Sequence, residues 1–220
     1  QLMQFALRVA TADTASGITA EFKQEVVIYT NERLLEEVAR TPNDARMMYF
    51  YGTFLHQLGA LDQALPVLTK AHELSPEKQA FMFELGSLHL DAGKNAEAVA
   101  WFRKAYELAP AFDDARLYYA MALIIAGENA RAEELIALRY GESIPDSQHL
   151  LQAYYRTKNY PRVLGILEGR VTANPNNTQG ITQLAAMYAE AGMKVKAVAT
   201  MERAMALDPA LEEQGRAFIE

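Results

Sequence analysis

The sequence predicts an all-α protein made of successive helical hairpins, and two observations support this fold class. First, Pro42, Pro76 and Pro110 follow one another at intervals of 34 residues, and Pro209 follows Pro175 at the same interval. Second, apolar and small residues between these prolines recur at steps of three and four residues, which is typical of one face of a helix. A regular period of this length indicates a repeat in which two short helices and their turns form one unit.

The segment 79–112 shows the repeated pattern most completely. A first amphipathic helix is expected over residues 80–92 and a second over 96–108. Gly93 ends the first helix, because glycine readily adopts the left-handed conformation that closes helices. The apolar residues that define the first helix are Met82, Leu85 and Leu88.

A glycine also lies inside this first helix. Gly86 costs about 1 kcal/mol relative to alanine in a helix interior, so a packing reason is expected. We expect the missing side chain to let the second helix approach closely at Ala98.

The spacing Met-x2-Leu-Gly-x2-His, followed by Ala-x3-Phe and a final proline, resembles the tetratricopeptide repeat. This resemblance implies a right-handed superhelical solenoid of helical hairpins. It also implies a protein–protein interaction scaffold that holds a peptide in the concave groove formed by the first helices.

On this basis, residues 1–220 are interpreted as a single repeat domain. An atypical N-terminal hairpin over 1–44 and the start of a capping helix over 212–220 flank the repeats, since terminal repeats usually depart from the pattern. The five repeats are assigned to 45–78, 79–112, 113–143, 144–177 and 178–211.

The N-terminal hairpin is expected to contain helices over about 2–12 and 19–40. The first has Leu2, Phe5, Ala6 and Val9 at helical spacing. The second is expected to bury Phe22, Val26, Val27, Leu34, Leu35 and Val38.

The middle of the array is shorter than two full repeats, because only 65 residues separate Pro110 from Pro175. We expect the second helix of the third repeat to end early, near Tyr140. In the fourth repeat, either Asp146 or Ser147 is expected to cap the first helix. The other expectations for this repeat are a buried face of Leu150, Leu151 and Tyr154, a turn at Lys158 and Pro161 in the first turn of the second helix.

Composition and charge exclude several classes of function. There are 21 lysine and arginine residues against 28 aspartate and glutamate residues, so the net charge is −7, and no basic run is present. Nucleic acid is therefore not expected as a partner. Cysteine is absent, which excludes disulfides, thiolate nucleophiles and cysteine-bound zinc. No apolar run approaches the ~20 residues of a membrane-spanning helix.

No pattern in the chain indicates catalysis. His72-Glu73 begins like a zinc-protease motif, but Pro76 stands where the second histidine would be needed. No phosphate-binding loop or nucleophile elbow is present. We therefore expect no catalytic residue, metal or cofactor in this chain, although a larger parent protein could be an enzyme.

The family resemblance places particular side chains in the groove. The middle of this groove is expected to be aromatic and aliphatic, and the C-terminal part rich in amides. A patch of Phe83, Leu90, Leu117, Met121 and Ile124 would be large if exposed, so a peptide, a partner helix or the chain's own terminus is expected to cover it. The predicted groove residues are Tyr49, Thr53, His56, Phe83, Ser87, Leu90, Leu117, Met121, Ile124, Gln148, Gln152, Tyr155, Gln179 and Gln183.

Two functions are weighed on this basis. One is a scaffold that binds a peptide or partner segment; the other is a structural domain that forms homo-oligomers. The segments LMQFALRVATA and ELSPEKQAFMFELGSLHLDAGK also resemble the soluble repeat domain of bacterial O-antigen ligases or polymerases. That resemblance implies a piece of a longer bacterial protein, tethered to a membrane and serving a membrane-embedded polysaccharide ligase or polymerase.

Overall fold

The computed structural model describes residues 2–13, 17–141 and 143–219. Thirteen α-helices occupy these ranges, together with a short 3-10 turn at Pro209–Leu211, and no strand occurs in them. The predicted all-α fold of helical hairpins is confirmed. The chain divides into two compact units, residues 1–111 and 112–220. Its assignment to one repeat domain with the limits given above stays a prediction.

The first unit contains six helices, each packed on the next along the chain from α1 to α6. Its core includes apolar side chains from α3, α4 and α5, among them the fully buried Phe54, Leu68 and Leu85. The helices are α1 Leu2–Ala10, α2 Ala20–Arg40, α3 Ala45–Gln57, α4 Leu61–Leu74, α5 Gln79–Asp91 and α6 Asn95–Leu108.

The second unit contains seven helices. In it α7 packs on both α8 and α9, α10 packs on α9 and α11, and α12 packs on α11 and α13. The helices are α7 Asp113–Ile125, α8 Asn129–Tyr140, α9 Gln148–Arg156, α10 Tyr160–Ala173, α11 Thr178–Glu190, α12 Lys194–Leu207 and α13 Glu212–Ile219.

The turns inside the hairpins share one conformation. Gly59, Gly93, Gly127 and Gly192 follow the ends of α3, α5, α7 and α11, and each has a positive φ. In the fourth hairpin the same place is held by Lys158, with a φ of 57°. Backbone bonds close the turn there as in the others: the Asn159 N–H donates to the Tyr154 carbonyl oxygen over 2.8 Å. Four hairpins thus use the residue that fits this conformation, and one uses a residue that does not.

Gly86 permits a close approach, but its neighbour is not the predicted one. A β-carbon at Gly86 would lie 2.7 Å from the Phe102 ring, so the ring fills the space that the missing side chain leaves. The three atoms nearest to this space belong to Phe102, whereas the closest approach was expected at Ala98. An aromatic ring one turn further along α6 reaches back over the glycine, because helical side chains point toward the N-terminus.

Two predictions for the N-terminal hairpin are wrong. Phe22 and Leu35 are 46% and 51% exposed, although both were expected in the core. The inward face of α2 is centred on the fully buried Thr30. Leu35 follows it by five residues, which at 3.6 residues per turn places this side chain on nearly the opposite side of the helix. Val26, Val27, Leu34 and Val38 do pack against the core.

In the middle of the chain, where the repeats are irregular, the structure agrees with the predictions made from the sequence. The helix α8 ends at Tyr140, and Pro161 lies in the first turn of α10. Of the two cap candidates, Ser147 caps α9 by accepting a hydrogen bond from the Leu150 N–H, while Asp146 pairs with Arg170 over 2.6 Å. The predictions that concern residues 1, 14–16, 142 and 220 lie outside the described residues.

Candidate functional site

The apolar residues predicted to line the groove are largely internal. Leu90, Leu117, Met121 and Ile124 are buried, and Phe83 is half-buried. These five side chains therefore form no exposed apolar patch, and their place in a groove stays a prediction. The physical reason is that α5 and α7 are apolar on nearly all sides, and such helices are buried all round.

The remaining groove candidates of the first unit also make internal contacts. Tyr49 stacks on Phe81 with ring centroids 4.7 Å apart. Thr53 is buried, and Ser87 is half-buried.

His56 is held by two carboxylates of the same unit. Its Nδ1 lies 2.8 Å from Glu84 Oε1, and its Nε2 lies 2.9 Å from Asp91 Oδ2. The hydrogen bond to Glu84 raises the pKa of His56, and burial opposes this effect. Both ring nitrogens are thus engaged between α3 and α5.

The amide-rich residues of the second unit do meet at a cavity. This cavity of about 320 Å³ lies between α9 and α11, with α10 below it. Gln148, Gln152, Tyr155 and Gln183 line it, four of the five residues that were predicted for this end of the groove. The fifth, Gln179, is exposed on α11 but does not line the cavity.

Helical periodicity explains why these side chains meet. On α9, Gln148, Gln152 and Tyr155 follow one another at steps of four and three residues, which places them on one face. On α11, Gln183, Ala186 and Glu190 follow one another at steps of three and four residues, so they also lie on one face. Both faces line the same cavity.

The floor of the cavity is apolar and comes from buried side chains. Leu151 and Met187 belong to α9 and α11, and both are buried. The other two, Val163 and Leu167, belong to α10 and were not predicted as site residues. The family resemblance places only first helices in the groove, so these positions could have been found only from the apolar face of α10.

One end of the cavity is acidic. Glu190 is the only charged residue among the described residues that line it. The neighbouring Glu190 carboxylate raises the pKa of Tyr155. The Tyr160 hydroxyl donates to Glu190 Oε1 over 3.4 Å. Two phenols of the second unit therefore surround this carboxylate.

No group of three or more histidine, aspartate or glutamate residues in the described part of the chain is arranged to hold a metal ion. None of the described helices is long and apolar enough to cross a membrane. A second cavity of about 220 Å³ lies beside the Arg162–Glu133 ion pair, whose two side chains help to line it.

Comparison with known proteins agrees with the hairpin architecture. The tetratricopeptide repeat family model matches residues 32–77 and 62–111. A tetratricopeptide repeat protein from Parabacteroides merdae superimposes with a TM-score of 0.61, covering 94% of this chain and 80% of that chain at 15% identity. Residues 32–111 therefore match the tetratricopeptide repeat family, and the solved structure shows the same fold over most of the chain. Tetratricopeptide repeat proteins are in general non-enzymatic scaffolds for protein–protein interaction.

Two further matches also have low sequence identity to this chain. Yeast Tom70 matches with a TM-score of 0.54 at 20% identity, over 99% of this chain and 45% of that chain. The "BBSome complex member BBS4 homolog" of Drosophila melanogaster is 23% identical over 171 residues, which are 71% of this chain and 35% of that protein. The match thus spans about a third of this curated relative. The narrower resemblance to O-antigen ligase domains is not supported by these matches and stays a prediction.

Proposed function

We propose that this protein binds an extended segment of a partner protein in the cavity between α9 and α11. The observation that carries the proposal is the cavity itself, in which an apolar floor is bordered by three glutamine side chains and a tyrosine. These rim residues come from the two first helices that the repeat pattern assigns to a peptide groove.

The chemistry of the cavity suits a polypeptide. Burial of an apolar side chain on the floor contributes about 25 cal/mol per Å² of apolar area. The amide groups of Gln148, Gln152 and Gln183 can each donate and accept hydrogen bonds, so they match the N–H and C=O groups of a partner's backbone. The cavity volume is near the lower end of the range for small-molecule sites, roughly 300–1,000 Å³, which favours one or two side chains over a cofactor.

The proposal can be tested with random peptides displayed on phage and selected on the purified chain. Ala186 lines the cavity and is exposed, so Ala186→Phe places a ring in the cavity without removing a core contact. Ala189→Phe is the matched control, because Ala189 is exposed on the same helix but does not line the cavity.

We expect the selected peptides to bind the wild type and the Ala189→Phe protein equally, and the Ala186→Phe protein at least about tenfold more weakly. Light scattering on the three proteins checks that their oligomeric state is the same. Failure to select any peptide, or equal binding to both variants, would show that the cavity is not the binding site.

A further inference from the structure

The acidic end of the α9–α11 cavity specifies the partner's chemistry more closely. We propose that the bound segment carries an aliphatic side chain and, one or two positions away, a lysine or arginine that pairs with Glu190. This inference rests on the proposed function and concerns the same cavity.

Glu190 has no cationic partner in the part of the chain that the structure describes. The ion pairs of the second unit join other residues, including Arg162 with Glu133 and Arg170 with Asp146. Arg156 is adjacent to Tyr155 in sequence but does not line the cavity. The contacts of Glu190 are with the phenols of Tyr155 and Tyr160, which are neutral donors. The exposed Glu190 carboxylate therefore lies beside two neutral hydroxyl groups and forms no ion pair with another described side chain.

The position of Glu190 in its helix strengthens its attraction for a cation. It is the last residue of α11, where the final carbonyl groups of a helix have no partner within the helix. These groups carry the negative end of the helix dipole, which favours a positive charge beside them. The carboxylate and the end of the helix thus both attract a cation.

Helix geometry sets the spacing between the two partner side chains. Glu190 follows the floor residue Met187 by three residues, a rise of about 4.5 Å along the helix axis at 1.5 Å per residue. Successive Cα atoms of a chain are about 3.8 Å apart. An aliphatic residue seated above Met187 therefore brings the next residue, or the one after it, level with Glu190.

The other end of the cavity limits the length of the segment. Gln148 and Tyr155 lie seven residues apart on α9, about 10 Å along the axis. An extended chain advances about 3.3 Å per residue, so roughly three partner residues span the cavity. The net charge of −7 also favours the approach of a cationic segment over an acidic one.

The test selects the same displayed random peptides separately on the wild type, Glu190→Gln, Glu190→Lys and Glu202→Gln. Glu202 is exposed on α12 and does not line the cavity, so Glu202→Gln makes the same change of net charge elsewhere. The readout is how often lysine or arginine occurs within two positions of an aliphatic residue in the selected peptides, relative to the unselected library.

On the wild type and on Glu202→Gln, we expect cations at these positions to be enriched about threefold or more, as for a partly exposed ion pair. On Glu190→Gln the enrichment should disappear, and on Glu190→Lys aspartate and glutamate should replace the cations. Raising the salt concentration should weaken binding of the wild-type pool to the wild type more than to Glu190→Gln.

The outcome separates the two proposals. If Ala186→Phe blocks the wild-type pool but cation enrichment is absent, or is the same on Glu190→Gln, the cavity binds peptides and the inference about charge is wrong. If Ala186→Phe does not block the pool, or no pool is obtained, the proposed function fails and this inference fails with it.

Discussion

The imidazole Nδ1 of His56 lies 2.8 Å from Glu84 Oε1, and this contact joins α3 to α5 in the first unit. Its Nε2 is 2.9 Å from Asp91 Oδ2, so the ring is placed between two carboxylates. Only 9% of the His56 side chain is exposed, and a protonated ring can donate to both oxygens at once. The arrangement therefore stabilises the charged form of His56.

The first prediction concerns the pH dependence of this contact. Because the pKa of His56 is raised in the folded state, its contribution to stability is fully present below the unfolded pKa and is lost as pH rises through the folded pKa. His56→Gln should therefore lower the free energy of unfolding by about 1–3 kcal/mol at about pH 6, and by less at about pH 8. Denaturant unfolding of both proteins at the two pH values measures the difference.

The wild type must be compared with the His56→Gln variant because other histidines have the opposite effect on the pH dependence of stability. Burial lowers the pKa of His72, His89 and His149, so these residues favour the folded state as pH rises. Their effect is common to the wild type and the variant and cancels in the difference. A difference that stays constant with pH would contradict the role assigned to His56.

The second prediction tests the contact between Gly86 and Phe102. Gly86→Ala should destabilise the protein by about 1–3 kcal/mol, since the new β-carbon would overlap the ring. Gly169→Ala is the control, because that glycine is exposed on α10 with no atom near its missing β-carbon. It should stabilise by about 0.5–1 kcal/mol through helix propensity. Thermal melts followed by circular dichroism compare the two, and equal shifts would refute the close contact.

The third prediction concerns the turn at Lys158. A non-glycine residue in the left-handed conformation costs about 1–2 kcal/mol, so Lys158→Gly should raise the free energy of unfolding by about 1 kcal/mol. Lys158→Ala keeps the strained conformation and should change stability little. The reverse substitution in another hairpin, Gly93→Ala, should destabilise. A loss of stability in Lys158→Gly would show that the lysine side chain makes a compensating contact.

The fourth prediction separates core residues from site residues. Leu117 is buried, so Leu117→Glu would bury an unpaired carboxylate and should cost about 3 kcal/mol or more. Gln152→Glu introduces the same charge at an exposed position of the cavity rim and should change stability by less than about 0.5 kcal/mol. The midpoints of urea unfolding distinguish the two. Nearly unchanged stability in Leu117→Glu would show that Leu117 is accessible to solvent, as expected for a groove residue.

The sequence by itself determined the helices and most of the turns. The apolar period and the glycine signal at Gly93 act within a few residues along the chain, and the 34-residue interval between prolines gives the length of one repeat. The same local chemistry allowed the end of α8 at Tyr140 and the cap of α9 to be predicted, although the choice between Asp146 and Ser147 required the contact with Arg170.

Tertiary structure alone decided which side chains remain accessible. In α7, which is apolar on nearly all sides, the sequence pattern does not show that Leu117, Met121 and Ile124 are all buried. The cavity needs Val163 and Leu167 from a second helix, and His56 meets Asp91 across 35 residues. Helical periodicity specifies the direction of a side chain relative to its own helix axis, whereas exposure depends on the neighbouring helices, whose placement results from packing among residues distant in sequence.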